Sequence, residues 1–304
     1  MKLEYDVIVI GSGVAGMTAA IYLKRAGFDV LILEKGAPGG QINQTAKIEN
    51  YPGFLEIDGP TLAMNMFDQI QKLNVSYEYG TVTEINTIGN KKEVKTDLAT
   101  YTADAILLAT GRVPQKLGLE NENNFINRGI SWCALCDGGF YKGQEVAVIG
   151  SGNSALEEAL YLSEICSKVI MINRKDQYKG SKLVLERLKK KANVTFMYNC
   201  VIKTLMGKSD VLSGLIVEKN GIEDKINING LFIYIGYHPD TEILKDSPII
   251  LENGYILVDE HMKTNVDGIY ACGDVIKKEV YQIATAIGEG ATAATQIQKD
   301  LSIK

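Results

Sequence analysis

The chain of 304 residues is 46% hydrophobic and 23% charged, which is typical of globular proteins and excludes wholesale disorder. Its formal net charge of −5 disfavours a nucleic-acid-binding protein, because such domains are normally basic. At about 100–200 residues per domain, the length predicts two domains.

The first residues predict a cytoplasmic protein without a membrane span. Glu4 and Asp6 replace the basic region of a signal peptide. The apolar stretch 7–23 is interrupted by glycines, so a strand followed by a helix explains it better than a membrane helix. Five cysteines, an odd and small number for this length, do not fit the disulfide framework of a secreted protein.

A dinucleotide-binding βαβ unit is predicted at the start of the chain. A β-branched strand leads into Gly11-x-Gly13-x-x-Gly16, which a helix and a second strand ending at Glu34 follow. Such glycines permit a tight turn, backbone approach to a pyrophosphate and close helix packing, and the terminal acid accepts hydrogen bonds from a ribose. With all these parts in register, we expect an FAD- or NAD-type dinucleotide rather than a plain glycine-rich turn.

A second motif of this kind, Gly150-x-Gly152-x-x-Ala155, predicts a second nucleotide-type domain. Its second strand ends at Asn173 instead of an acid, which argues against NAD, whereas the two cations that follow suit a 2′-phosphate. Alternatively, the fold persists as a scaffold that has lost its nucleotide. Glycine- and proline-containing seams at 110–119 and 236–244 predict that this domain is inserted into the first.

The sequence Cys133-Ala-Leu-Cys136 favours a redox disulfide, since two intervening residues let the ring close and reopen readily. A zinc site would need more ligands, and the two histidines, His238 and His261, lie far along the chain, so we expect no metal. Buried thiols remain an alternative. Asp137 is a candidate proton donor or acceptor for the thiols, or only an acid at a helix start.

Three further patterns complete the chain. A strand ending in Gly273-Asp274 suggests a second contact to the first dinucleotide, with Asp274 on a ribityl hydroxyl. A predicted helix at 181–192 carries a basic run that is either a solvated face or a landing patch for an acidic protein. The other cysteines, predicted to be small buried hydrophobes, are Cys166, Cys200 and Cys272.

Taken together, these motifs resemble the low-molecular-weight flavin thioredoxin reductases over essentially the whole length of the chain. The pieces that carry the resemblance, in order, are Gly11-x-Gly13-x-x-Gly16 with Glu34, Gly39-Gly40-Gln41, Ile48-Glu49-Asn50-Tyr51-Pro52-Gly53, Ala109-Thr110-Gly111, Cys133-Ala-Leu-Cys136-Asp137, Gly150-x-Gly152-x-x-Ala155 and Gly273-Asp274.

The resemblance implies an α/β fold of two Rossmann-like three-layer domains, the class II architecture of pyridine nucleotide-disulfide oxidoreductases. A discontinuous FAD-binding domain would comprise 1–114 and 244–304, and an inserted pyridine-nucleotide-like domain at 115–243 would carry the redox disulfide. The resemblance also implies a homodimer and rotation of one domain against the other. No nucleic-acid or membrane partner is expected.

The implied activity is electron transfer through FAD to the Cys133–Cys136 disulfide and on to thioredoxin. Cys136 would face the flavin and Cys133 would exchange with thioredoxin, with Asp137 as the third catalytic residue. The residues implied to bind the cofactor are Gly11, Gly13, Ala15, Gly16, Glu34, Lys35, Gly40, Gln41, Asn50, Thr110, Gly111, Gly273, Asp274, Tyr281, Gln282 and Ile283.

The pattern leaves two electron donors open, because the family's NADPH clamp, His-Arg-Arg-x-x-x-Arg, is largely replaced. Exchange of planar guanidinium groups for lysines removes bidentate phosphate recognition. A related branch uses reduced ferredoxin instead of NADPH, and the sequence favours ferredoxin slightly, with the basic run as its docking surface. The residues of the alternative, a weak or vestigial NADPH site, are Gly150, Gly152, Ala155, Arg174, Lys175 and Lys179.

Two other positions depart from the family pattern, and two other kinds of function are compatible with the motifs. The family's Arg-Gln pair reads Tyr281-Gln282, and Gly139 stands where the family usually has an aromatic residue. A different enzyme of this architecture would be a peroxiredoxin-reducing flavoprotein or a dithiol oxidase. A different class would be a flavin-binding redox sensor or an electron-transfer module without turnover.

Overall fold

The computed structural model describes residues 2–45, 47–208 and 210–302. Contact density divides the chain into two compact units. The first unit consists of Met1–Val113 and His238–Lys304, and the second unit is Pro114–Tyr237. The second unit is therefore an insertion into the first.

Both units contain strands and α-helices among the described residues. The strands are β1 Glu4–Ile10, β2 Val30–Glu34, β3 Ser76–Tyr79, β4 Val82–Ile88, β5 Lys91–Thr96, β6 Thr100–Leu108, β7 Arg112–Pro114, β8 Ile130–Ser131, β9 Glu145–Gly150, β10 Lys168–Asn173, β11 Val194–Tyr198, β12 Cys200–Lys208, β13 Val211–Lys219, β14 Ile222–Asn227, β15 Gly230–Tyr234, β16 Tyr237–Pro239, β17 Leu251–Glu252, β18 Tyr255–Ile256 and β19 Ile269–Ala271. The α-helices are α1 Val14–Arg25, α2 Gly59–Lys72, α3 Ala134–Asp137, α4 Asn153–Ile165, α5 Lys182–Lys189 and α6 Ile283–Ser302.

The first unit is built on a mixed sheet in the order β3-β2-β1-β6-β5-β4, with β19 also paired to β6. Strands β1, β2, β3, β6 and β19 run parallel, whereas β4, β5 and β6 pair antiparallel. The central parallel strands β1, β2 and β19 and the second half of β6 are mostly apolar because both faces of the sheet are covered there. Helices α1, α2 and α6 pack on one face, and the segment after β16 packs on the other.

The second unit has a parallel sheet in the order β11-β10-β9-β15-β8. Helices α4 and α5 cover one face through side chains such as Leu156, Leu162 and Leu188. The antiparallel sheet β12-β13-β14 covers the other face through side chains such as Leu205 and Leu215. The predicted α/β fold class with two Rossmann-like three-layer arrangements is therefore confirmed.

The second unit ends at Tyr237, six residues before the predicted end of the inserted domain at residue 243. Residues 238–243 belong to the first unit, since the Thr110 hydroxyl donates to the Asp240 carbonyl at 2.7 Å. The Asp240 N–H in turn donates to the Gly111 carbonyl at 3.0 Å, and the Asp240 carboxylate pairs with Lys35 at 2.6 Å. Which nucleotide each unit binds remains a prediction.

Candidate functional site

The carboxyl ends of four parallel strands of the first unit meet at one edge of the sheet. Strand β1 ends before Gly11, β2 ends at Glu34, β6 ends just before Ala109-Thr110-Gly111, and β19 ends before Gly273-Asp274. Open parallel sheets bind ligands at this edge, outside the carboxyl ends of the strands. The register of the sheet thus gathers the chain's separate motifs into one site.

The glycines of the first motif meet different steric demands. Gly11 has a φ of +103°, and a Cβ there would lie 2.4 Å from the Ala109 carbonyl oxygen. A Cβ at Gly16 would lie 2.0 Å from the Gly11 carbonyl oxygen. Gly13, in contrast, has open space within 4 Å of the position of a Cβ, directly at the uncapped N-terminus of α1. Gly11 and Gly16 therefore shape the turn, and Gly13 leaves room for a pyrophosphate.

The carboxylate of Glu34 is held in place at the end of β2. One oxygen accepts hydrogen bonds from the backbone N–H of Ser12 at 2.7 Å and from its hydroxyl at 2.9 Å. The other oxygen accepts the N–H of Gly36 at 2.8 Å. In dinucleotide-binding units an acid at this position accepts hydrogen bonds from a ribose hydroxyl. Together with the open Gly13, this arrangement fits FAD.

Other predicted cofactor residues contact each other within the first unit. Asn50 donates through Nδ2 to Oε1 of Gln282 at 3.0 Å. Gln41 donates through Nε2 to the carbonyl of Arg112 at 2.9 Å. The ammonium of Lys35, another predicted cofactor residue, forms an ion pair with the carboxylate of Asp240. Two of these contacts join predicted cofactor residues to distant parts of the first unit, Asn50 to Gln282 and Gln41 to Arg112.

Arg112 is a residue of this site that the sequence motifs do not identify. Its Nη2 lies 2.9 Å from Oδ2 of Asp274, and both side chains are about one-fifth exposed. Its Cζ lies 4.1 Å from the centroid of the Tyr281 ring. The position directly after Ala109-Thr110-Gly111 is the one sequence signal for it. Arg112 thus links two predicted flavin contacts, Asp274 and Tyr281.

Lys278 and Glu289 form a second ionic layer beneath Asp274. The ammonium of Lys278 lies 3.2 Å from Oδ1 of Asp274 and 2.8 Å from Oε2 of Glu289. The same Glu289 oxygen accepts the N–H of Gly273 at 3.0 Å. Burial raises the pKa of Glu289, and Lys278 opposes that shift. This layer fixes the Gly273-Asp274 turn at the sheet edge.

In the second unit a disulfide joins Cys133 and Cys136, with their Cα atoms 5.3 Å apart. Residues 133–137, here called the redox turn, form a single helical turn in which Cys133 is the N-cap and its Sγ accepts the Cys136 N–H at 3.1 Å. Cys133 is 6% exposed, whereas Cys136 is exposed. In the oxidised state Cys136 is therefore the more accessible residue of the pair.

Asp137 is connected to the redox turn through Ser131, a residue that no motif identifies. The Ser131 hydroxyl donates to Oδ2 of Asp137 at 2.6 Å and accepts the Cys133 N–H at 3.0 Å. The Asp137 N–H donates to the Cys133 carbonyl at 3.1 Å. Ser131 ends the short strand β8, so the sheet fixes the orientation of the Asp137 carboxyl group.

The second glycine motif keeps the geometry of a nucleotide-binding turn. Gly150 has a φ of +147°, and a Cβ there would lie 2.3 Å from the Tyr234 carbonyl oxygen. Gly152 has open space within 4 Å, and no side chain caps the N-terminus of α4 that follows it. Ala155, at the third position, is fully buried. The turn therefore retains room for a phosphate group.

Residues 173–179, here called the clamp loop, combine a buried amide with exposed cations. Asn173 is 3% exposed and bonds within the loop, from Nδ2 to the Gln177 carbonyl at 2.7 Å and from the Lys175 N–H to Oδ1 at 3.1 Å. Within the described chain, Arg174, Lys175 and Lys179 are exposed, and their side chains form no ion pair. Asn173 thus shapes the loop, and the three cations are available to an anion.

The basic run lies on and after α5, which is shorter than the predicted helix at 181–192. Lys189 pairs with Glu186 at 2.9 Å, and Lys191 pairs with Glu164. These carboxylates neutralise part of the charge that a docking surface for an acidic protein would use. The pairing of these lysines favours the interpretation of the basic run as a solvated helix face over a docking surface.

The remaining cysteines agree with their prediction as buried groups. Cys166, Cys200 and Cys272 are at most 5% exposed, and burial raises the pKa of each thiol, to about 11 for Cys166. Among the residues that the structure describes, no cluster of His, Cys, Asp and Glu could hold a metal ion. No helix of the described chain is long and apolar enough to cross a membrane.

Comparison with known proteins gives consistent similarities. The model of the family "Pyridine nucleotide-disulphide oxidoreductase" matches residues 5–290. A thioredoxin reductase of Listeria monocytogenes is 41% identical over 97% of this chain and 93% of that protein. A thioredoxin reductase of Bacillus subtilis is 39% identical over 97% and 94%. The crystal structure of Lactococcus lactis thioredoxin reductase, 40% identical, superimposes with a TM-score of 0.90 over 99% of this chain and 100% of that one.

Proposed function

The chain belongs to the pyridine nucleotide-disulphide oxidoreductase family, as a homologue of low-molecular-weight thioredoxin reductases, and from that premise we propose that it reduces thioredoxin. The observation that carries this proposal is the Cys133–Cys136 disulfide on a helical turn of the unit that holds the second glycine motif. A disulfide closed by two intervening residues suits reversible exchange with another protein's disulfide.

The first unit would hold FAD through the groups at its sheet edge. Gly13 and the N-terminus of α1 would face the pyrophosphate, Glu34 the ribose, and Asp274 a ribityl hydroxyl. Arg112 and Lys278 orient the Asp274 carboxylate. When bound, FAD carries two electrons between a donor and a disulfide.

In the redox turn the proposed roles of the two sulfurs differ. After two electrons have broken the Cys133–Cys136 bond, the Cys133 thiolate attacks a thioredoxin sulfur and forms a mixed disulfide. Cys136 then attacks Cys133, which re-forms the internal bond and releases the thioredoxin dithiol. Cys133 is 6% exposed in the oxidised state, so this attack requires the turn to expose it. Asp137, held by Ser131, is the proposed proton donor and acceptor.

For the electron donor we propose NADPH, although the sequence alone favoured ferredoxin slightly. The clamp loop presents Arg174, Lys175 and Lys179 without ion-pair partners among the described residues, so they are available to a 2′-phosphate. Gly152 leaves the phosphate turn open. The basic run, in contrast, is partly neutralised by Glu186 and Glu164. These contacts support the nucleotide more than an acidic protein donor.

Anaerobic flavin bleaching tests the donor, and steady-state turnover tests the activity. NADPH should bleach the purified yellow protein rapidly and stoichiometrically, and NADPH plus thioredoxin should give a continuous rate. Bleaching only with reduced ferredoxin would reject NADPH as donor. Cys133→Ser should abolish thioredoxin turnover, whereas Cys166→Ser, at a buried free thiol, should retain it. Retained turnover in Cys133→Ser would reject the proposed exchange, and the absence of any turnover in wild type would favour a redox sensor.

A further inference from the structure

The hydroxyl proton of Ser131 has two acceptors within reach, and their distances are unequal. The hydroxyl oxygen lies 2.6 Å from Oδ2 of Asp137 and 3.3 Å from the carbonyl oxygen of Cys133. A hydroxyl normally approaches its acceptor to about 2.5–3.0 Å, so only the distance to Asp137 is that of a full hydrogen bond. A charged acceptor strengthens such a bond further. The proton of Ser131 is therefore donated to Asp137.

The surroundings of Ser131 leave its hydroxyl little freedom to change partners. The residue is 4% exposed, and its backbone is held in the sheet by pairing with Phe232 of β15. The hydroxyl oxygen accepts the Cys133 N–H at 3.0 Å. Since a hydroxyl has one proton and two lone pairs, this bond occupies one lone pair and limits the directions left to the proton. The sheet thus fixes both the position and the direction of the donor.

The two oxygens of the Asp137 carboxyl group are consequently not equivalent. A proton on Oδ2 would force the Ser131 hydroxyl to give up its 2.6 Å bond and to turn to the Cys133 carbonyl at 3.3 Å. A proton on Oδ1 leaves the short bond in place. Among the residues that the structure describes, no donor is bound to Oδ1, and Asp137 is partly exposed. The favoured position for a proton on Asp137 is therefore Oδ1.

We propose that Ser131 is a positioning residue of the reaction, which by binding Oδ2 assigns to Oδ1 of Asp137 the proton exchanged with the redox turn. This inference rests on the proposed role of Asp137 as proton donor and acceptor. When a thiolate attacks the Cys136 sulfur, the Cys133–Cys136 bond breaks, and Cys133 leaves as a thiolate that takes the proton from Oδ1. In the opposite direction, Oδ1 accepts the proton of the Cys133 thiol before its sulfur attacks another disulfide.

The test follows reduction of the Cys133–Cys136 disulfide by dithiothreitol in the full-length chain as purified, at about pH 7. One thiolate of dithiothreitol attacks a sulfur of the protein, and its second thiolate then closes the ring of oxidised dithiothreitol and releases the protein dithiol. Samples are quenched with iodoacetamide, and the mass of the peptide that contains both cysteines gives the fraction reduced. Neither thioredoxin nor an electron donor for the flavin is needed.

A double-mutant cycle separates a positioning role from a structural one. Ser131→Ala should slow the reduction by about tenfold, because the carboxyl group loses the bond that orients it. Asp137→Asn, which keeps an acceptor for Ser131 but transfers no proton, should slow it by about a hundredfold. In the Asp137→Asn background, Ser131→Ala should then change the rate by less than about twofold. Ser131→Thr, which retains a hydroxyl, should restore part of the rate.

Tyr234→Phe is the matched control for Ser131→Ala. The Tyr234 hydroxyl also accepts an amide of the redox turn, that of Ala134 at 2.9 Å, but it has no described contact with Asp137. Any effect of Tyr234→Phe should therefore be equal with and without Asp137→Asn. An equal slowing by Ser131→Ala in both backgrounds would overturn the inference and leave Ser131 a structural anchor of the turn.

Asp137→Glu tests the same point without a change at Ser131. The longer side chain keeps the acid but moves it out of the position that Ser131 binds, so the reduction should again be about tenfold slower. A wild-type rate in this variant would contradict the inference, also if Ser131→Ala fails to fold. Failure of Asp137→Asn to slow the reduction would instead reject the proposed role of Asp137. Thioredoxin turnover is measured separately, so its absence would reject the proposed function without altering this cycle.

Discussion

The guanidinium of Arg112 lies over the ring of Tyr281, with Cζ 4.1 Å from the ring centroid. The resemblance to thioredoxin reductases places an arginine at position 281, so the tyrosine that departs from that pattern packs under a cation from another segment. The same Arg112 pairs with Asp274 at 2.9 Å. A guanidinium between an aromatic face and a carboxylate binds both through its plane and its edge, which lysine cannot do.

We expect Arg112→Gln to weaken FAD binding by about tenfold and to lower the free energy of unfolding by about 2 kcal/mol. The substitution leaves the largely buried Asp274 with Lys278 as its remaining described cation and removes the contact with Tyr281. Flavin fluorescence on dilution measures FAD release, and urea unfolding measures stability. Arg128→Gln, at an exposed arginine paired loosely with Asp210, should change neither. Equal FAD affinity in both variants would show that Arg112 does not support the site.

The glycines of the first motif should separate cofactor binding from stability. Gly13→Ala should fold normally, because φ is −67° and no atom lies within 4 Å of the new Cβ, yet it should lose FAD affinity by filling the space for the pyrophosphate. Gly16→Ala should cost about 3 kcal/mol, since its Cβ would lie 2.0 Å from the Gly11 carbonyl oxygen. FAD titration and thermal unfolding measure the two effects. Tight FAD binding by Gly13→Ala would contradict the assigned position of the pyrophosphate.

Local spacing explains why much of the fold could be predicted. The first motif and Glu34, and likewise Cys133 and Cys136, lie close along the chain, so their chemistry is visible in short patterns. Arg112 and Tyr281 could not be paired from sequence, because strand register and a distant loop bring them together.

The redox turn shows the same limit. Ser131 and Tyr234 are common residue types in ordinary strands, and only the strand order β9-β15-β8 brings both of them to the redox turn. Asn173 is partly visible in the sequence, since it stands where a dinucleotide-binding unit usually has an acid. Its role in closing the clamp loop depends on a carbonyl four residues on, which the pattern does not reveal.

Glu158 should make the stability of the chain depend on pH. Its pKa is raised from 4.5 to about 7, so between these values the folded chain keeps a proton that the unfolded chain has lost. The free energy of unfolding should therefore fall by about 3 kcal/mol as pH rises through this window and stay level above it. Glu158→Gln removes this dependence, so the difference from wild type in urea unfolding should grow from pH 4.5 to pH 7. A difference that is constant with pH would contradict the raised pKa.

The clamp loop should discriminate between NADPH and NADH by charge. Replacing Arg174, Lys175 and Lys179 together by Gln removes the cations available to a 2′-phosphate. At about 1 kcal/mol for each partly solvated contact, KM for NADPH should rise by about a hundredfold, while KM for NADH should barely change. Added salt should weaken NADPH binding to wild type more than to the triple variant, because exposed charges are screened.

Lys219→Gln is the matched control for this triple variant, since Lys219 is an exposed lysine of the same unit at the end of β13. Its KM values should equal those of wild type. Equal losses with NADPH and NADH in the triple variant would mean that the loop supports the fold of the site and does not read the 2′-phosphate. Unchanged KM values for both nucleotides would instead show that the 2′-phosphate binds elsewhere. The three exposed cations would then be part of an ordinary solvated surface, as such residues commonly are.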